Sequence, residues 1–347
     1  MINRQNWLDI RAYLDHLETR LGRDPQTVHK YGNYLRHLIE WADESPLPLA
    51  YRKTEPVFPL YLASARNDGG SKPLSYTTLY KALTTTRQFF AFARDRWSRY
   101  HSISNAWLDT LLPHSKPEPT LDEHRFYTLD EVRALLAVSA ETLRDQRART
   151  AAAMLFLSGM RPDSLASAPR RCIDLPQRRV LQLPSLGIRT KNRKAGITYL
   201  LDIPDLIDVV RAWDRKVGHM APTALWYATL DPGGTCLHET ERAIRGRASV
   251  IGDDLRPLCQ RAGVEYKSPH KFRHGHIVYA RGLARNMDEV KAISQNVMHA
   301  NIIITDQVYS GLKTDQVQTT IASLGKQKEA DTAELLRLLD ALRAQIT

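Results

Sequence analysis

The sequence predicts a mainly α-helical protein with a small β-sheet or hairpin, built as an all-helical N-terminal domain followed by a mixed α+β domain. Three observations carry this expectation. Apolar residues recur at three- and four-residue steps through the first hundred positions, the spacing of helices with one buried face. Three prolines fall within Pro113–Pro119, a density that neither helix nor strand tolerates. Beyond them, Val180–Leu183 and Ile197–Ile203 are short strand-like runs on either side of a basic stretch, the pattern of a hairpin.

In chain order, Trp7, Ile10, Leu14, Leu17 and Leu21 form the first apolar stripe. Asp24-Pro25 is an N-cap with proline at the first helical position, and Val28, Tyr31, Leu35 and Leu38 make the stripe behind it. Pro46, Pro48, Pro56 and Pro59 mark a connection, with a short helix around residues 60–66 and a loop at Asn67–Ser71. Tyr76–Trp97 is a long helix that carries Leu79, Leu83, Phe90 and Ala93 inward. The first domain therefore occupies residues 1–112, and the proline-rich stretch at 113–121 is an extended linker. Thr128-Leu-Asp-Glu131 is a capping box, so a second domain is expected over 122–326. It holds helices around 128–139 and 145–158, the two strands, a hairpin tip at Arg189–Gly196 and further helices to about residue 324. Residues 327–347 form a C-terminal amphipathic helix with Leu335, Leu338, Leu339, Leu342 and Ile346 on one side. Alone it is marginal, so its apolar face needs a surface, either on its own domain or on a neighbouring protomer; we expect the neighbour.

Composition narrows the function. Of 347 residues, 43% are hydrophobic and 25% charged, which excludes a disordered chain or a collagen-like fibre. No run of eighteen apolar residues occurs, so no membrane partner is expected, and Met1–Trp7 lacks the apolar core of a secretory signal. Cys172, Cys236 and Cys259 form no CxxC pair and are expected as reduced thiols in a cytoplasmic protein. The balance of 49 Lys and Arg against 38 Asp and Glu leaves +11, which suits a polyanionic partner. The basic residues concentrate: Arg161–Leu200 carries nine Lys or Arg and two Asp. This stretch is either a solvated face or a surface that tracks phosphates.

Cutting a phosphodiester without a metal needs charge neutralised on two non-bridging oxygens, a nucleophile in line, and a proton for the leaving oxygen. Arginine suits the first task through its planar fork of donors. Gly159-Met160-Arg161 ends one apolar helix and precedes another. If Pro269 opens a helix, His270 and Arg273 share one face of its first turn, where the dipole favours an anion. His299 lies ten residues before Tyr309. His270, His274 and His276 cannot all face one metal from one helix, and no Gly-Lys-Ser/Thr follows the paired glycines, so neither metal nor nucleotide cofactor is expected.

An arginine, a hairpin lysine, His-x-x-Arg, a histidine and a tyrosine, in that order, make the chain resemble the tyrosine recombinase (phage integrase) family. The likeness spans nearly the whole chain. It rests on Arg161 after Gly159-Met160, Lys191 in Arg189-Thr-Lys-Asn-Arg-Lys194, His270-Lys-Phe-Arg273-His274, His299 and Tyr309. Three departures stand out: Ser164 where the family usually has a carboxylate, Val297-Met298 where it usually has Leu-Gly, and the ten-residue interval before Tyr309. The resemblance implies a helical core-binding domain that clamps duplex DNA against a catalytic domain. It also implies a site-specific recombinase or integrase acting through a 3′-phosphotyrosyl intermediate, with no cofactor. Tyr309 would be the nucleophile, and Arg161 and Arg273 would hold the non-bridging oxygens. Lys191 would supply the leaving-group proton, although Arg193 and Lys194 could also reach a phosphate. His270 would accept or orient the tyrosine proton, and His299 would bond the phosphate. The implied partners are double-stranded DNA bearing a recombination site and other protomers in a synaptic tetramer. A type IB topoisomerase, or a DNA-binding relative without catalysis, would share much of this pattern.

Overall fold

The computed structural model describes residues 2–65, 73–111, 126–244 and 246–298. The expected linker at 113–121, His299, Tyr309 and the expected C-terminal helix at 327–347 lie outside the described residues. The chain divides into two compact units, Met1–Asp122 and Glu123–Thr347.

The elements described in the first unit are helices: α1 (Arg4–Thr19), α2 (Pro25–Ala42), α3 (Leu47–Lys53), α4 (Phe58–Ser64), α5 (Tyr76–Arg96) and α6 (Asn105–Thr110). Asp24 caps α2 by accepting from the Gln26 amide, with Pro25 at the first helical position. The core gathers Ile10, Tyr13 and Leu17 of α1, Leu35 and Leu38 of α2, and Phe89, Phe90 and Ala93 of α5, all buried. Two expectations change here. The proline-bearing connection contains α3, because Pro48 sits in the first turn of that helix, where a missing N–H costs nothing. Trp7 and Leu21 leave the buried stripe of α1, at 47% and 54% exposed. Polar anchors take the inner face instead. Asn6 accepts from the Leu47 amide and donates to the Ser45 carbonyl, while buried Asp9 accepts from the Tyr100 hydroxyl at 2.6 Å and pairs with Arg99.

The second unit is organised on one buried helix. α7 (Leu129–Ala137) opens with the reciprocal Thr128–Glu131 capping box. α8 (Leu143–Ser158) follows, and its residues from Arg147 to Ser158 are buried at every position except Arg149. Such a helix has no polar face because others cover it on all sides: α7, α10 (Pro204–Val217), α11 (Ala248–Ala262) and α12 (His270–Leu283) all pack on α8. Arg147 ties α8 to α11 by donating from Nε to Asp254 at 2.8 Å, and the Tyr227 hydroxyl donates to the same carboxylate. At Gly275 of α12 an added Cβ would lie 1.9 Å from the Tyr127 carbonyl oxygen, so only glycine permits this approach.

Between α9 (Pro162–Ser167) and α10, strands β1 (Ile173–Asp174), β2 (Arg179–Gln182) and β3 (Gly196–Tyr199) form an antiparallel sheet in that order. β2 and β3 pair from Arg179 opposite Tyr199 to Gln182 opposite Gly196. The strand expected through Ile203 ends at Tyr199. The Leu201 amide turns instead to the Leu157 carbonyl of α8 at 3.0 Å, and Pro204 begins α10. A second antiparallel pair, β4 (Thr229–Leu230) and β5 (Leu237–His238), precedes α11, and α13 (Met287–Asn296) follows α12.

Candidate active site

The end of α8 sets the position of Arg161. Gly159 has φ +61, and a Cβ there would fall 2.6 Å from His276 Cδ2 and 2.8 Å from Val297 Cγ1. Both the backbone conformation and the space therefore require glycine. The turn it makes leaves Arg161 as the extended residue before α9, with Pro162 at the first helical position. The Arg161 guanidinium is half-buried and meets no carboxylate or carbonyl acceptor among the described residues. Burial lowers its pKa. The nearest carboxylate in sequence, Asp163, is engaged by Arg189 at 3.1 Å.

Ser164, which stands where a carboxylate is usual in the resembling family, is buried and donates to the Arg189 carbonyl at 2.8 Å. Ser167 accepts from the Arg189 amide, also at 2.8 Å. Two hydroxyls thus fasten α9 to the backbone at the entry to the basic hairpin tip. At that tip, Lys191 opens a short turn held by the Thr190 hydroxyl on the Lys194 carbonyl at 2.6 Å. Lys191, Arg193 and Lys194 are all exposed.

α12 begins at His270 after Pro269, so His270 and Arg273 occupy its first turn. Their environments differ. Arg273 is 3% exposed and donates to the Gly159 carbonyl at 2.7 Å and the Val297 carbonyl at 2.5 Å. His270 remains exposed to solvent. Partial burial, followed by the charges of Arg273, Arg161, Lys271 and Lys191, pushes its pKa down to about 4. All four cations lie near enough to His270 to disfavour its protonation. His276, two turns into the helix, is fully buried; its Nδ1 donates to the Phe156 carbonyl at 2.7 Å, and burial pushes its pKa down to about 4.

Arg161, Lys191, His270 and Arg273 are thus brought together from three separate segments, while His299 and Tyr309 lie outside the described residues. Sequence reasoning assigned no supporting role to Ser164, His276 or Asn296. The last ends α13 and bonds the edge of β3. A buried serine, a buried histidine and a helix-end asparagine give no local signal, because each works on a backbone group far along the chain. A cluster of arginine and lysine around a neutral imidazole can bind a phosphate diester, neutralise its oxygens and exchange a proton with it.

The model of the phage integrase family matches residues 125–316, and that of the phage integrase N-terminal SAM-like domain matches residues 10–96. Tyrosine recombinase XerA of Thermococcus kodakarensis is 24% identical over 313 residues, covering 89% of this chain and 92% of its own length. Tyrosine recombinase XerD of Mycobacterium tuberculosis is 24% identical over 315 residues, covering 87% and 92%. Among solved structures, the Tn1549 transposon integrase in complex with transposon right end DNA aligns with a TM-score of 0.59 at 14% identity, over 94% of this chain and 100% of that one. A lambda integrase dimer bound to a COC' core site aligns with a TM-score of 0.54 at 13% identity, over 88% and 78%. Both structures share the fold described above.

Proposed function

The chain belongs to the phage integrase family, and from that membership we propose that Tyr309 is the nucleophile of a reaction assembled on Arg161, Lys191, His270, Arg273 and His299. The protein is a tyrosine-type site-specific DNA recombinase. In the proposed reaction, the Tyr309 oxygen attacks the scissile phosphorus while the bond from phosphorus to the 5′-oxygen breaks. The enzyme is left joined to the 3′-phosphate. The departing 5′-oxygen takes a proton from the Lys191 ammonium, and His270 accepts or orients the proton that leaves the tyrosine. Its pKa of about 4 keeps the imidazole neutral, and so able to accept, at neutral pH. Arg161 and Arg273 neutralise the non-bridging oxygens, and His299 adds a hydrogen bond. Attack by a new 5′-hydroxyl reverses every step, so the phosphotyrosyl bond conserves the energy needed for rejoining.

The observation that best supports this reading is Arg161. Holding a cation half-buried with no anionic partner among the described residues costs stability, and a phosphate would offset that cost. The proposed partners are duplex DNA carrying a recombination site and further protomers in a synaptic tetramer. The helix at 327–347 is proposed to dock on a neighbouring protomer.

Covalent trapping tests the assignment. A duplex selected by binding from a random-sequence pool is nicked beside the cleavage position, so that the cut strand diffuses away. Wild type should give an SDS-resistant adduct. Tyr309→Phe should bind the same duplex and give none, because only the attacking oxygen is lost. An adduct from the Phe variant would remove Tyr309 as nucleophile.

A further inference from the structure

We propose that Asn296 is a positioning residue that sets where Lys191 stands relative to the arginine-held phosphate; this rests on the role given to Lys191 above. Among the described residues, β3 lies at the edge of its sheet and has β2 on one side only. On that side the ladder continues through the Leu200 amide to the Arg178 carbonyl at 2.8 Å, which leaves both backbone groups of Tyr199 facing away from β2. The Asn296 carboxamide takes both. Tyr199 N donates to Asn296 Oδ1 at 2.7 Å, and Asn296 Nδ2 donates to the Tyr199 carbonyl at 3.0 Å. A carboxamide carries the same donor and acceptor as a peptide group, so Asn296 acts as a one-residue strand added to the edge. The Thr198 hydroxyl reinforces it by donating to the Asn296 carbonyl at 2.9 Å while accepting from Gln182 Nε2 at 2.6 Å.

The position of this clamp gives it a role beyond fold stability. β3 is the strand that leads out of the turn bearing Lys191. Asn296 is followed directly by Val297, whose carbonyl receives Arg273. One carboxamide therefore joins the lysine-bearing hairpin to the segment that the buried arginine holds. The Met298 side chain fits the same junction, since a Cβ on Gly196 would meet its Cε at 3.1 Å. The exposed tip at 191–194 has no other described tie to α13. Releasing the clamp should let the lysine drift while the core around α8 stays closed.

A leaving-group substitution separates positioning of the lysine from a general loosening. Two nicked duplexes of the same selected sequence are compared in single-turnover cleavage, one with the ordinary 5′-bridging oxygen and one with sulfur there. A thiolate leaves without being protonated, so the sulfur substrate does not need the lysine proton. Asn296→Ala should slow the oxygen substrate on the order of 10- to 100-fold and leave the sulfur substrate within a few-fold of wild type. Asn296→Asp keeps the acceptor for the Tyr199 amide and loses the donor, so its defect on oxygen should be intermediate. It also serves as the test if the alanine variant does not fold. Equal slowing on both substrates, or no slowing on either, overturns the proposal. Lys191→Ala is the reference. If sulfur rescues Lys191→Ala but not the Asn296 variants, the claim for Asn296 alone fails. If sulfur fails to rescue Lys191→Ala, the proton-donor role of the lysine falls, and the positioning claim falls with it.

Discussion

Arg273 donates to the carbonyl of Gly159 at 2.7 Å and to that of Val297 at 2.5 Å, so one buried guanidinium ties the turn before Arg161 to the residue after α13. These two carbonyls are 138 positions apart in the chain, the difference between residue numbers 297 and 159. A planar fork with donors pointing in two directions satisfies both at once. The geometry makes Arg273 a structural joint in addition to the phosphate role proposed for it, and it sets the first expectation.

Arg273→Lys keeps the charge and loses the fork. One or both carbonyls then lack a partner inside the protein. We expect a loss of about 1–3 kcal/mol of stability in urea unfolding and a fall in single-turnover cleavage on the order of 100-fold. DNA affinity should change much less. A lysine variant with unaltered stability would show that the carbonyls find other donors.

Arg161 should behave in the opposite way. Its half-buried charge has no described anionic partner, and burial already lowers its pKa. Arg161→Met keeps much of the volume and removes the charge. Stability should therefore be unchanged or higher, while cleavage loses about 3–4 kcal/mol of transition-state stabilisation. Paired measurements of urea midpoint and cleavage rate decide this; a marked loss of stability would mean that Arg161 carries a structural contact.

Gly159→Ala tests the turn itself. The φ of +61 disfavours any side chain, and the new methyl would press on His276 and Val297 at distances no relaxed contact shows. We expect a destabilisation of about 2–4 kcal/mol, measured by denaturant unfolding. Cleavage should also fall, because Arg161 and the Arg273 anchor both move with this turn. A stable, active alanine variant would mean that α12 can shift without consequence.

Acid sensitivity follows from His276. Its folded pKa is about 4, against about 6.5 for an unfolded histidine. The unfolded chain therefore binds more protons wherever the pH lies between those values. His276 leaves stability unaffected above about pH 6.5, and its contribution is lost progressively as the pH falls towards 4, by on the order of 3 kcal/mol in total. His276→Asn retains an N–H for the Phe156 carbonyl and does not titrate. Its urea midpoint should decline less steeply than that of wild type between pH 7 and pH 4.5. Parallel declines would assign the acid sensitivity to other groups.

Local chemistry was legible directly from the residues. Asp24-Pro25 starts α2, and Thr128 with Glu131 starts α7, because a cap is decided by neighbours within one turn. The first turn of α12 was readable for the same reason, since Pro269 can open a helix and His270 and Arg273 are three apart. The order of these residue types along the chain, read through the family resemblance, marked Arg161, Lys191, His270 and Arg273 as candidates.

Everything that depends on an encounter between distant segments was decided by the tertiary structure. α8 carries no amphipathic pattern because four helices surround it, and periodicity cannot say which four. Trp7 looked like a core residue until Asn6 and Asp9 found partners near Ser45 and Tyr100 and claimed the inner face of α1. Arg147 meets Asp254 and Asn296 meets Tyr199 across about a hundred residues, with no spacing rule to announce them. A sequence records which donors and acceptors a chain possesses and how each biases its own turn. Which carbonyl a buried arginine satisfies is settled only when packing has removed water and left that carbonyl within reach.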